Sequence, residues 1–284
     1  HTRFSRYREW RGAATTTRVS VATGGAEGDG HSREPRISGD GGRVLFHSEA
    51  ADLIAGDTNN STDVFVRDLD AATTTRVSVA SGGAEALDDS FGGDISGYGD
   101  VVAFGSWAAN LVAGDTNGLR VVFLRDLDAG TTTRVSVDDA GQQGLGNAFG
   151  SALSYDGRFV AFESEAWNLV DDDTNGDQDI FVRDGTPPLP GWDRDVDISG
   201  DPGSTGQLFP DLAVGADGTL AAVWEDYRDG VYRKNGDVYA GVSTDGGTTW
   251  SSPMRVNDDA AGAAGRRNPR AAVAGNGDVY VVWE

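Results

Sequence analysis

Thr15-Thr16-Thr17-Arg18-Val19-Ser20-Val21 returns as Thr73 to Val79 and again as Thr131 to Val137, each time 58 residues further along the chain. Asp-Thr-Asn at Asp57, Asp115 and Asp173 keeps the same step, as does a phenylalanine at Phe46, Phe104 and Phe162. A register held over this length marks tandem units, each too small to bury its apolar face alone. In the first full unit, strand chemistry falls at Pro35 to Ser38, Arg43 to His47, Asp63 to Arg67 and Thr74 to Val79. Clusters of Gly, Asp and Asn between these runs read as turns, and helical periodicity is missing throughout.

The second run (Val44-Leu45-Phe46 and its repeats) and the third (Val64-Phe65-Val66 and its repeats) are apolar on both faces. Such strands must be covered from two sides. The fourth run alternates: Val77 and Val79 would face one way, and Arg76 and Ser78 would face solvent from a half-exposed outer strand. Radially stacked blades satisfy both patterns, so an all-β propeller of four-stranded antiparallel blades is expected. A flat β-sandwich explains the alternation but not the constant register. Each repeated Val or Phe reads as core, its burial contributing ~1.5–3 kcal/mol.

Four-strand sets fall near residues 34–79, 92–137, 150–199 and 208–256, with two further strands at Asn268 to Val273 and Asp278 to Trp283. Thr15 to Val21 and Arg3 to Glu9 could complete a fifth blade with them, closing the ring and removing exposed edges. The alternative is a piece of a longer propeller with open ends. The whole chain, 1–284, reads as one propeller in which the Pro-rich connector 186–193 separates repeats over 15–185 from those over 194–284.

Forty-five acidic against 23 basic residues give a formal charge of −22, which argues against nucleic acid and anionic lipid as partners. No apolar run is long enough for a membrane helix, so no membrane insertion is expected. Cysteine is absent, which removes disulfides, thiolate nucleophiles and Cys-ligated zinc. The chain opens at His1 rather than Met and stops at Val-Val-Trp-Glu, as a mature or cut product would. An extracellular or cell-surface location is expected, with the periplasm as the other option.

Ile37-Ser38-Gly39-Asp40-Gly41, Ser154 to Phe162 and Asp179 to Asp184 resemble the S-x-D-G-x-x-I-A-F and I-Y-V-x-D elements of WD40-like propeller repeats of the TolB type. That resemblance spans about residues 15–185 and implies blades that serve scaffolding, ligand binding or, fused to other domains, peptidase gating. Ser243-Thr244-Asp245-Gly246-Gly247-Thr248-Thr249-Trp250 resembles the Asp-box of sialidase-like BNR-repeat propellers. In that family the box is a folding element remote from catalysis. Here Ser243 and Asp245 would bond the backbone of a tight hairpin, Gly247 would take a positive φ, Thr249 completes the motif and Trp250 would pack beneath it.

Oxygen side chains recur at alternate positions in Asp173, Asn175, Asp177 and Asp179, and again in Asp57, Asn59, Ser61 and Asp63. Spacing of this kind lets a curled loop turn oxygens toward a hard cation, so Ca2+ is the expected ligand of both loops. Leu119 and Val121 break the set in the second unit. The competing reading is that these residues make Asx-turns only. Three histidines, His1, His31 and His47, offer little for a Ser-His-Asp arrangement. Glu225, Asp226, Tyr227 and Arg228 form the most sialidase-like cluster, with a polar strand-end turn as the plainer reading. Trp107 and Trp167 fall in loops between second and third strands, where exposed rings could stack on a ligand; capping of the blade core is the alternative. Together these residues point to a non-catalytic binding or structural module for carbohydrate or protein, with a sialidase-like glycoside hydrolase as the alternative.

Overall fold

The computed structural model describes residues 16–284 except 172, 185–195, 201–205, 216, 230–231, 233, 259, 263–264 and 275–276. Among the described residues every regular element is a strand. The first sheet contains β1 (Ser32–Ile37), β2 (Arg43–Ser48), β3 (Asp63–Asp68) and β4 (Thr73–Arg76) in sequential antiparallel order. The second repeats it with β5 (Ser90–Ile95), β6 (Val101–Ser106), β7 (Val121–Asp126) and β8 (Thr131–Arg134). The third contains β9 (Ala148–Leu153), β10 (Phe159–Ser164), β11 (Asp179–Asp184) and β12 (Val196–Asp197). The fourth contains β13 (Gln207–Val214), β14 (Leu220–Asp226), β15 (Asp237–Ser243) and β16 (Met254–Arg255). A two-stranded sheet of β17 (Arg270–Val273) and β18 (Val279–Val282) follows.

The repeat in sequence is a repeat in packing. Phe46 faces Phe65 across β2 and β3, Phe104 faces Phe123, and Phe162 faces Phe181. Their ring centroids lie 5.8, 5.6 and 5.7 Å apart with interplanar angles of 25°, 28° and 26°. The apolar clusters lie between sheets, as two-faced strands require. Leu45, Val64 and Val66 of the first sheet pack with Phe104 and Phe123 of the second. Ala103 and Val122 of the second join Val160 and Phe162 of the third, and Ala161 and Ile180 of the third join Ala222 and Trp224 of the fourth. This is the radial stacking of a β-propeller, with each sheet a blade.

Each innermost strand carries an irregularity near its start. The register slips between Arg33 and Arg36 in β1, between Gly92 and Asp94 in β5, and between Leu208 and Asp211 in β13, while β9 slips opposite Phe162 and Glu163. Glu34, Gly150 and Phe209 take positive φ there (51°, 28° and 54°), as does Asn268 (51°) just before β17. Such bulges re-aim backbone toward the propeller axis.

One expectation changes. Arg76 and Ser78 do not face solvent: the Arg76 side chain is 8% exposed, and Ser78 is fully buried where its hydroxyl donates to Asp63. Polar alternation here marks a polar buried slot rather than an outer surface. Among the described residues β18 pairs with β17, and the N-terminal strands expected to close the ring lie largely outside them. Arg3 to Glu9, Thr15 and the connector 186–193 lie outside the described residues. Residues 16–31 contribute one isolated bridge, Val21 to Glu27, and the Val21 carbonyl accepts from the Thr74 hydroxyl as Val79 does from Thr132.

Phe104→Ala removes a fully buried ring from the stacked pair between the first and second blades. A loss of ~3–5 kcal/mol in unfolding free energy is expected by urea denaturation, against a near-neutral effect for truncating the exposed Leu87.

Candidate functional site

The bulged starts of β1, β5, β9 and β13, with the segment just before β17, converge on one axial cavity of about 480 Å3. Glu34, Arg36, Gly92, Gly150, Phe209 and Asn268 come from these strand starts, and Arg120, Glu163, Glu165, Gln178 and Tyr232 complete much of the wall. Its size falls within the usual range for small-molecule sites, roughly 300–1,000 Å3.

Stacking leaves the bulge N–H of each blade pointing at the end of the preceding blade's second strand, where an acceptor must be supplied. Glu163 at the end of β10 accepts from Phe209 N at 2.7 Å, and Glu225 in β14 accepts from Asn268 N at 2.8 Å. His47 in β2 faces Gly92 N through Nδ1 at 3.3 Å, and burial pulls its pKa below the usual histidine value. In the second blade this position is Gly105, which has no side chain to offer. The Arg120 guanidinium fills the space instead: a Cβ on Gly105 would lie 2.8 Å from Arg120 Nε.

Arg120 stands over the rings of Phe91, Trp107 and Phe149 at 5.0, 5.2 and 5.4 Å. Its Nε is buried without a hydrogen-bond partner, and none of the ion pairs among the described residues includes it. Burial lowers its pKa, with Glu163 and Glu34 opposing that shift. The Arg120 guanidinium is thus caged by rings, lines the cavity and has no carboxylate partner within 4 Å among the described residues, and a guanidinium so placed is chemically able to pair with an anion.

Two residues beyond each bulge the side chain also points inward. The register aligns Arg36, Asp94, Ala152 and Asp211 opposite Leu45, Ala103, Ala161 and Val223, with Arg270 opening β17. Asp94 accepts from Leu153 N at 2.9 Å, and Asp211 accepts from Ala271 N at 2.7 Å, each binding its blade to the next. Burial raises both carboxyl groups, Asp94 to about 6. Arg270 lies 3.8 Å from Asp211. The sequence reading missed Arg36, Asp94, Arg120, Glu163, Asp211 and Arg270. Their signal was variation in charge at positions whose repeat phase stays fixed.

The two expected calcium loops differ. In the first blade the Arg76 guanidinium reaches Asp57 at 3.3 Å, Asp63 at 3.0 Å and Glu85 at 3.0 Å. Asn59 turns its amide to Asp63 and Ala86 O, and its side-chain oxygen accepts from Ser61 N in an Asx-turn. In the loop of Asp57, Asn59, Ser61 and Asp63 an arginine thus supplies positive charge beside two of the four expected ligands. The second blade places Arg134 3.6 Å from Asp115.

In the third blade, register puts Asp197 opposite Phe181, the place that Arg76 takes opposite Phe65 and Arg134 opposite Phe123. Asp173, Asp179 and Asp197 thus face one another electrostatically without an arginine. Burial, then the charge of Asp197, raises both loop aspartates, Asp179 to about 7. Asn175 donates to Asp179 and accepts from Asp177 N, while Asp177 stays at the rim. No group of three or more His, Cys, Asp or Glu side chains among the described residues is already arranged around a metal position.

Trp107 is 38% exposed and meets Phe91 edge-on at 5.5 Å, so it walls Arg120 rather than capping a core. Trp167 is 59% exposed. The turn from Ser243 to Trp250 closes on itself as the motif implies. Ser243 Oγ donates to Asp245 and accepts from Gly247 N, Asp245 accepts from Thr249 N and Oγ1, and Trp250 Nε1 donates to Gly247 O. Gly247 has φ 90°. The Glu225 cluster is self-satisfied: Tyr227 donates to Glu225, while Arg228 and Trp224 Nε1 both bond Asp226.

No protein-family model matches this sequence, and no curated protein matches it. Among solved structures it is similar to a putative TolB from Agrobacterium tumefaciens at 15% identity, covering 90% of this chain and 91% of that one, with a TM-score of 0.44. Penicillium chrysogenum alpha-L-arabinanase, complexed with arabinobiose, is similar at 15% identity over 88% of this chain and 74% of that one, TM-score 0.48. The tricorn protease is similar at 11% identity over 89% of this chain and 25% of that one, TM-score 0.49. A fold does not by itself fix an activity, so function rests on the site.

Asp94 gives the axial site a pH signature. Its folded-state value of about 6 lies above the ordinary 3.8, so the folded chain holds that proton more tightly than the unfolded chain. The residue therefore favours the fold below about pH 4, and this contribution is lost as pH rises through 6. Asp94→Asn, which keeps an oxygen for Leu153 N, should show a smaller fall in melting temperature between pH 4 and pH 7 than the wild type; parallel curves would assign the burial elsewhere.

Proposed function

We propose that this propeller is a non-catalytic binding module, working at the cell surface or elsewhere outside the cytoplasm, that takes an acidic carbohydrate into its axial cavity through Arg120. The observation that carries the reading is the ring-caged guanidinium, partly desolvated and without an ion-pair partner among the described residues. A ligand carboxylate would gain a charge-assisted pair there at little further desolvation cost to the protein. Phe149, Phe209 and Tyr232 offer ring faces for sugar stacking, and Glu34, Glu165 and Arg36 offer hydroxyl partners around them. The net charge of −22 would otherwise repel such a ligand, which makes the local concentration of arginines the selective feature.

A glycoside hydrolase is the second reading, favoured by the acidic groups and by the three arginines, Arg36, Arg120 and Arg270, of the cavity. It needs two carboxyl groups free to act across the scissile bond. Glu163 instead holds Phe209 N and Gln178, and Asp94 holds Leu153 N, so the buried acids are occupied in joining blades.

Calorimetric titration with a uronic-acid oligosaccharide, against a neutral oligosaccharide of equal length, tests the proposal. Arg120→Gln should weaken binding of the acidic ligand by about 10–100-fold, the worth of one charge-assisted hydrogen bond, and leave any neutral binding unchanged. Equal affinity for both ligands in the wild type would overturn the reading. Release of reducing ends during incubation would favour the hydrolase.

A further inference from the structure

The β10–β11 loop differs from its two counterparts in the sign of one buried charge. The slot formed by this loop and the fourth strand holds Arg76 in the first blade and Arg134 in the second, each reaching loop aspartates. The third blade keeps the aspartates, Asp173 and Asp179 at the positions of Asp57 and Asp63, and replaces the arginine with a third carboxylate, Asp197. We propose that this slot is a divalent-cation site of Ca2+ type, in which the ion does for the third blade what an arginine does for the other two.

An independent observation singles out the ligand atoms. Asp179 is 1% exposed, and its Oδ2 has no hydrogen-bond partner; Asp173 Oδ1 is also buried without one. In the first blade the corresponding Asp63 Oδ2 bonds Arg76 and Asn59. A buried carboxylate oxygen with no donor costs about 1–3 kcal/mol or more, and a hard cation is the simplest partner for two of them beside a third acid. Asp197 directs Oδ1 to Ser199 and Gly200, which anchors it at the edge of the slot. No arginine, lysine or histidine forms an ion pair with Asp173, Asp179 or Asp197 among the described residues.

Oxygen donors of this sort suit Ca2+ better than Mg2+. Ca2+ accepts six to eight oxygens in irregular geometry and can gather ligands from a loop that is not preassembled, whereas Mg2+ demands a near-ideal octahedron. The three carboxylates do not yet surround a common point, which assigns part of the loop's ordering to the ion. Gln178, beside Asp179, donates to Glu163 in the axial wall, so the ion would also steady one side of the cavity.

The test uses the full chain after chelator treatment, followed by circular dichroism melting during titration with CaCl2, with MgCl2 and NaCl at matched ionic strength. The melting temperature should rise by about 3–5 °C for each tenfold of Ca2+ above the dissociation constant. Asp197→Arg restores the charge of the other blades and should abolish the response while raising the melting point of the calcium-free protein. Asp173→Asn should also abolish the response, and Asp57→Asn in the first blade should leave it intact. Failure of the wild type to respond, an equal response to Mg2+, or a response surviving in Asp197→Arg would each overturn the site. If Asp197→Arg does not fold, Asp173→Asn decides the point, since it changes one partly exposed loop residue.

Discussion

A strand that is apolar on both faces cannot stand in water, and this chain places two such strands at the centre of every four-stranded sheet. The constraint is met by covering each sheet with the next. Leu45, Val64 and Val66 therefore pack with Phe104 and Phe123 across a blade boundary rather than within a sheet. Burial of this kind is non-directional and would tolerate sliding. Within each of three sheets a stacked phenylalanine pair recurs with nearly the same separation and tilt. Once the faces are committed to packing, chemistry is left to strand ends and loops.

Stacking also creates a polar problem at the axis. Innermost strands that converge must bulge, and each bulge frees an N–H that water reaches poorly. Glu163, Glu225 and His47 supply acceptors from the preceding blade, so acids that look catalytic in sequence serve as fasteners. Gly105 is the one of these positions that cannot accept, and Arg120 moves into its volume. The unpaired guanidinium of the cavity thus follows from one glycine in an otherwise regular series.

Blade boundaries were legible because they rest on composition and period. The sets near 34–79, 92–137, 150–199 and 208–256 bracket the observed sheets closely, and the two C-terminal strands fall where expected. The site was much less legible. Arg76 and Ser78 read as solvent-facing because alternation assigns polar residues outward, and no local rule reveals that Asp63 lies across the strand to receive them. Arg120 sits in a loop position that is threonine in one repeat and glutamine in another, Thr62 and Gln178, so neither period nor motif marks it. Stacking of the blades around the cavity brings together residues some 60 apart in sequence, and that juxtaposition becomes visible only in three dimensions.

Internal repetition supplies its own comparison for the loop slots. The first blade balances Asp57, Asp63 and Glu85 against Arg76; the second reduces the acids, with Gln143 where Glu85 stood, and keeps Arg134 against Asp115. Both slots keep one guanidinium against their loop aspartates, whatever the number of acids. The third blade breaks this balance by placing Asp197 where the guanidinium belongs. The aspartates of this slot raise one another's pKa, as burial does, and no arginine offsets them. A proton would relieve only one carboxylate at a time, whereas the divalent ion proposed above would relieve all three and also engage the orphaned oxygens of Asp173 and Asp179. On that proposal the same backbone slot is closed by a side-chain cation in the first two blades and by a diffusible one in the third.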